Sequence, residues 1–192
     1  MGLLLRFDIL GVLSGPVFLR LSFSATLSFF LELSFLAPGG AYTFIFIMET
    51  KKMKVIMLLG PSNKGKTTTM NLLYDELARY EENIVCPKSQ LGGNPKDFEC
   101  ILKYDGKLVA LYSMGDFSTC IIPAISAYEE KKCDVLVYTC NDKFTRPKER
   151  IKKYPGSVII PKSIGDNCED RDMKNHVDKN KLIAHILLNE TS

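Results

Sequence analysis

From residue 54 onward, apolar positions alternate between short strand-length runs and stretches of helical spacing. Lys54-Val-Ile-Met-Leu-Leu59 has the length and composition of a buried parallel strand. After a glycine-bearing interval, Met70, Leu73 and Leu77 recur at helical spacing, with Asp75, Glu76 and Arg79 on other faces. Ile84-Val-Cys86 predicts a short strand entering a loop over Pro87–Asp97, where Gly92-Gly93 and Asn94-Pro95 predict an exposed, mobile segment. Phe98–Tyr104 and Lys107–Tyr112, joined by Asp105-Gly106, predict a hairpin with a two-residue turn. A helix from Pro123 to Lys132 with its proline in the first turn, a central strand over Cys133–Cys140 and a last strand over Ser157–Pro161 follow. A helix from about Glu169 to Glu190 completes the pattern, with Met173, Val177, Ile183, Ile186 and Leu187 as its inward positions. This order predicts an α/β domain of three layers, with a mostly parallel sheet and one antiparallel hairpin strand.

Residues 1–47 follow neither rhythm. Leu, Phe and Ser dominate them, and Arg6, Asp8, Arg20 and Glu32 are their only charges. A membrane span needs about 20 uninterrupted apolar residues. Arg20 and Glu32 leave eleven between them, and Pro38-Gly39-Gly40 breaks the next stretch. A secretory leader needs a basic start and a small-residue cleavage site, and N-myristoylation needs Ser or Thr where Arg6 stands. The reading favoured here is an over-extended start, with Met48 or Met53 as first residue, ahead of a membrane-associated segment or an added structural element. The working domain is thus placed at 48–192.

Composition changes this picture little. At 192 residues the chain suits one domain with a full core. A formal charge of +3 does not by itself indicate nucleic acid or an anionic membrane as partner. Six cysteines without a C-x-x-C pair, beside only His176 and His185, argue against a structural metal site. Reduced, mostly buried thiols in a cytoplasmic protein are expected.

The chemistry concentrates between the first strand and the first helix. Gly60-Pro61-Ser62-Asn63-Lys64-Gly65-Lys66-Thr67 fits G-x-x-x-x-G-K-[ST], and Thr68 follows. Glycines let successive N–H groups converge on one anion, and the helix behind adds the positive end of its dipole. Lys66 is placed to reach the β- and γ-phosphates, and the Thr67 hydroxyl to ligate Mg²⁺. Ser113-Met114-Gly115-Asp116 ends the second hairpin arm, on a strand expected beside this loop. There Asp116 and the Ser113 hydroxyl are candidates for Mg²⁺ or its water, and the Gly115 N–H for the γ-phosphate. A plain turn capped by Asp116 is the competing interpretation. Lys143–Lys153 holds six basic residues against Glu149. Arg146 and Arg150 are candidates to close over transferred phosphates, against the commoner case of a solvated basic face.

The loop and its flanks resemble the phosphate-loop (Walker A) NTPase superfamily over roughly residues 53–161. The hairpin before a glycine-bearing turn is similar to its small GTPases, but Tyr112 stands where D-x-x-G has Asp. The guanine-reading N-K-x-D is absent too, since Asn141-Asp142-Lys143-Phe144 has another order. The basic segment resembles that of small-molecule kinases, although no arginine lies between Arg79 and Arg146 to serve an acceptor. The G-K-T-T-T loop and later Gly-Asp also look like small bacterial ATP-binding proteins without an assigned reaction. These likenesses imply Mg²⁺ and a nucleoside triphosphate, ATP ahead of GTP, whose γ-phosphate is hydrolysed or transferred. The alternative is a slow-turnover switch whose segments Pro87–Asp97 and Ser113–Asp116 answer to the γ-phosphate. A membrane partner is implied only if residues 1–47 are genuine.

Overall fold

The computed structural model describes residues 17–23, 28–37 and 40–49 by their backbone and residues 52–188 in full. The chain divides into two compact units, residues 1–51 and 52–192. In the first, β1 (Val17–Phe23), β2 (Ser28–Ala37) and β3 (Gly40–Glu49) form an antiparallel three-stranded sheet. Apolar residues at consecutive positions hide the period of two that would have announced these strands. The side chains of this unit, Arg20 and Glu32 included, and the break at Pro38-Gly39 lie outside the described residues. No described helix is long and apolar enough to cross a membrane.

The second unit is α/β. Its strands are β4 (Lys54–Gly60), β5 (Ile84–Gln90), β6 (Phe98–Tyr104), β7 (Lys107–Tyr112), β8 (Val135–Asn141) and β9 (Val158–Pro161). Its helices are α1 (Lys66–Leu77), α2 (Ser118–Glu130), α3 (Arg146–Ile151) and α4 (Cys168–Leu187). The six strands form one mixed sheet in the order β5-β6-β7-β8-β4-β9. β7, β8, β4 and β9 are parallel, and β6 alone runs against its neighbours. The hairpin falls where its turn residues put it, because Asp105 (φ 50°) and Gly106 (φ 72°) both adopt the left-handed conformation of a tight two-residue turn.

Alternation along the strands builds a core on each face of the sheet. Val55, Met57, Leu136, Tyr138 and Cys140 pack against Ile121, Ile125 and Tyr128 of α2 and against Ile151 of α3. Ile56, Leu58, Val109, Leu111 and Val137 pack against Met70, Leu73 and Leu77 of α1 and Leu182 and Ile186 of α4. The three expected layers are therefore α1 with α4, the sheet, and α2 with α3. The C-terminal carbonyls of α4, which have no partner within a helix, are met by lysines. Lys54 donates to the His185 and Leu188 carbonyls and Lys107 to those of Ile186 and Leu187.

Four local expectations are corrected. β5 extends through Pro87 to Gln90, so the loop is only residues 91–97. An edge strand tolerates that proline, and register shifts at Cys86 and Ser89 take up the irregularity. α2 begins at Ser118, leaving Pro123 inside the helix, where the bond to the Thr119 carbonyl is forfeited. Of the six free cysteines, Cys100, Cys133 and Cys140 are buried, Cys120 is half-buried, and Cys86 and Cys168 are exposed. The largest error is the face of α4. Asn175, Asp178, Leu182 and Ile186 point inward, with Ile183 partly buried, whereas Met173, Val177 and Leu187 are exposed. The helix begins at Cys168 because the Asn167 side chain accepts the Asp170 N–H, and its expected end at Glu190 lies outside the described residues.

Candidate functional site

The G-x-x-x-x-G-K-T segment joins β4 to α1 with two left-handed residues, Asn63 (φ 59°) and Gly65 (φ 84°). Gly65 caps α1, and no side chain bonds the N–H groups of the first turn as a cap. The Lys66 side chain is only 6% exposed. Its ammonium curls back to donate to the Pro61 carbonyl at 2.7 Å, inside its own loop. Burial holds Lys66 below its ordinary pKa, opposed by the charges of Asp116, Asp142 and Asp97.

The strand ends on one side of the loop supply two polar groups. Asn141, the last residue of β8, donates from Nδ2 to the Ser62 hydroxyl at 2.6 Å and to Asp116 Oδ1 at 3.2 Å. Ser62 Oγ in turn donates to Asp116 Oδ1 at 3.1 Å, and Lys66 Nζ lies 3.9 Å from the same oxygen. Asp116 is 53% exposed and so open to solvent beside the loop. The expected neighbour relation is different, however. β8 lies between β4 and β7, so Asn141, not Asp116, comes from the strand adjacent to the loop.

Ser113 does not join this group. It is 1% exposed, and its hydroxyl accepts the Phe98 N–H and donates to the Phe98 carbonyl. These bonds tie the Ser113 hydroxyl to the base of the hairpin. Gly115 has a packing role of its own. A Cβ there would lie 2.6 Å from the Thr139 carbonyl carbon, and the Gly115 carbonyl accepts the Asn141 N–H. Its smallness lets the end of β7 lie against β8.

The other side of the loop is braced by α4 and the end of β9. Thr69 Oγ1 donates to the Gly65 carbonyl and to Asn175 Oδ1. Lys162 lies against Gly60 and pairs with Asp178 at 2.8 Å, both side chains essentially inaccessible. Asp178 also accepts the N–H and hydroxyl of Ser163 and an ammonium proton of Lys181. Asn63, Gly65 and Thr68 share a pocket of about 310 Å³ with Cys168, Arg171, Asp172 and Asn175 of α4. Gly65→Ala would put a Cβ 2.6 Å from Asn175 Oδ1 at a φ that costs a non-glycine residue about 1–3 kcal/mol. The variant is expected to melt several degrees lower, as differential scanning fluorimetry would report.

Thr67 has a partner that the spacing of motifs did not suggest. Its hydroxyl donates to Asp97 Oδ1 at 2.9 Å, at the entry to β6. The two candidate arginines of the basic segment are placed differently from one another. Arg150 donates to Ser126 of α2 and to the Tyr154 hydroxyl, and its guanidinium lies over the Tyr154 ring. It is thus engaged with the α2–α3 layer. Arg146 is exposed at the start of α3, after β8. Lys64 on the loop and Thr68 in the first turn of α1 are exposed.

The residues missed by sequence reasoning are Asn141, Asn175, Lys162 and Asp97. Asn141 carried a faint signal, a polar residue closing an apolar strand run. Asn175 and Lys162 carried none, since polar residues on a charged helix or after a strand usually face water. Among the described residues, no cluster of three or more His, Cys, Asp or Glu side chains is arranged to hold a metal. Mg²⁺ does not require one, because it is held by one or two protein oxygens together with substrate phosphates. No protein family, curated protein or solved structure was found to match this chain.

Proposed function

We propose that residues 60–68 bind the phosphates of a Mg²⁺-complexed nucleoside triphosphate in a phosphate-loop NTPase-like domain, and that the protein hydrolyses or transfers the γ-phosphate. The observation that carries this reading is Lys66. A buried ammonium folded over an uncapped helix N-terminus is costly unless an anion is meant to replace the Pro61 carbonyl as its acceptor. On triphosphate binding, Lys66 exchanges that carbonyl for β- and γ-phosphate oxygens and neutralises charge developing there. Thr67 would hold the metal, whose chemistry is to draw charge from the phosphate oxygens. Asp116, oriented by Ser62 and Asn141, positions the attacking water or acceptor.

ATP is favoured over GTP because the one asparagine near a guanine-reading pattern, Asn141, is committed to Ser62 and Asp116. Thermal shift of the full chain with ATP, GTP, ADP and GDP, with and without Mg²⁺, tests the reading. Ligand at a hundredfold excess over Kd stabilises by about 2.7 kcal/mol, which is roughly 8–10 °C for a domain of this size. The expected order is Mg-ATP above Mg-GTP, and an equal lack of response to all four nucleotides would sink the proposal. A slow-turnover switch is a second reading, favoured by the bond that ties residues 91–97 to Thr67. Identical limited-proteolysis patterns with di- and triphosphate would count against it.

A further inference from the structure

We infer that Asp97, not Asp116, is the carboxylate of the metal site, so that Thr67 and Asp97 together would hold the divalent cation. This rests on the triphosphate reading above. A hydroxyl that ligates a cation through its lone pair keeps its proton for an acceptor, and an anionic acceptor strengthens the oxygen as a ligand. Thr67 Oγ1 has that acceptor in Asp97 Oδ1 at 2.9 Å. Asp116 Oδ1 is instead taken up by Ser62 and Asn141, on the flank of the loop that faces β8. The two carboxylates thus divide the work, Asp97 toward the cation and Asp116 toward the γ-phosphate.

Asp97 is held in place from three directions. Its carbonyl accepts the Leu91 N–H and its N–H donates to the Asn94 carbonyl, which closes residues 91–97 into a small ring of backbone. Asn71 of α1 donates both to the Thr67 carbonyl and to the Lys96 carbonyl, tying the neighbours of the two ligand residues together. Lys88 of β5 donates to Asn71 Oδ1 while its ammonium sits 4.3 Å from the Tyr74 ring centre and 4.2 Å from that of Phe98. A Cβ added to Gly92 would lie 3.1 Å from Met114 Sδ, so residues 91–97 pass close to the turn that carries Asp116. A carboxylate fixed this way would be preorganised to hold a divalent cation together with Thr67.

The test is ATP binding by the full chain, measured by calorimetry in EDTA and in excess Mg²⁺, for the wild type, Asp97→Asn and Asp116→Asn. Without metal, Asp97→Asn binds ATP roughly two- to fivefold more tightly, because a negative charge beside the triphosphate has gone. With Mg²⁺ the sign reverses, and the variant loses at least about tenfold of the metal-dependent gain. That loss exceeds the one in Asp116→Asn. Mn²⁺ bound in the presence of ATP, read by electron paramagnetic resonance, falls in the same order. Affinity in EDTA also reports that the variant is folded. Full retention of the Mg²⁺ gain by Asp97→Asn, or a larger loss in Asp116→Asn, overturns this inference and leaves the nucleotide reading standing. Absence of ATP binding by the wild-type chain in both conditions overturns the two together.

Discussion

Lys66→Ala is expected to abolish every nucleotide-dependent rise in melting temperature and, without nucleotide, to melt higher than the wild-type protein. The two effects have one cause. Lys66 keeps its charge in a site that is 6% exposed, where the Pro61 carbonyl and a largely exposed Asp116 are poor substitutes for water. Removing the ammonium leaves Asp116 solvated, so no buried charge is stranded, and a gain of about 2–5 °C is the expected scale. The pH dependence has a definite sign. The folded-state pKa lies below the ordinary 10.5, so the folded protein binds fewer protons than the unfolded chain between those two values. The cost of Lys66 is fully present below the lowered folded value and relieved as pH rises through it toward 10.5, so the advantage of the variant shrinks over that range. Calorimetric melting of both proteins at pH 7 and pH 10 checks it. A variant that melts lower than wild type at pH 7 would contradict the argument.

Asp178→Ala is expected to cause the largest loss of stability. The substitution leaves the Lys162 ammonium, 1% exposed, without its carboxylate and removes the acceptor for both polar groups of Ser163. Breaking a buried pair by one partner costs about 3–5 kcal/mol, roughly 10–15 °C in melting temperature. The double variant Lys162→Met/Asp178→Leu is expected to recover most of this, since no uncompensated charge remains. Burial opposes ionisation of Asp178, but hydrogen bonds from Lys162 and Ser163 outweigh it and hold the carboxyl below its ordinary value. Its contribution is therefore present above the unfolded pKa near 3.8 and lost as pH falls through the lower folded value. Urea titrations at pH 7 and pH 3 separate the cases, because the gap between wild type and Asp178→Ala narrows in acid.

The elements that could be read from the chain are those in which local chemistry and tertiary packing agree. The Asp105-Gly106 hairpin, the buried strand before the loop and the Met70/Leu73/Leu77 face of α1 all fall where turn propensity and apolar spacing put them. What escaped is where the two disagree. α4 turns Asn175 and Asp178 inward and leaves Met173 and Val177 in water, because its inner face must bond Thr69, Lys162 and Ser163 rather than fill apolar space. The place of β8 between β4 and β7 could not be read either, since strand order follows from how the crossovers pack and not from any residue in the strand. Asp97 was hidden by the same non-locality, thirty residues from the hydroxyl it accepts from.

The position of β4 has a consequence for how the domain is made. β4 is the first strand of the six-stranded sheet, yet its partners are β8 and β9, with Lys54 opposite Val135 and Ile56 opposite Val158. The loop at its end leans on Asn141 and Asn175, and Lys54 at its start holds the last turn of α4. Contacts of such sequence separation pay their loop-closure entropy late, after local units such as the β6–β7 hairpin have formed. The loop is synthesised well before β8 and α4, the elements it leans on. The geometry of the loop therefore arises with the late, global step of folding and not with the local units that precede it.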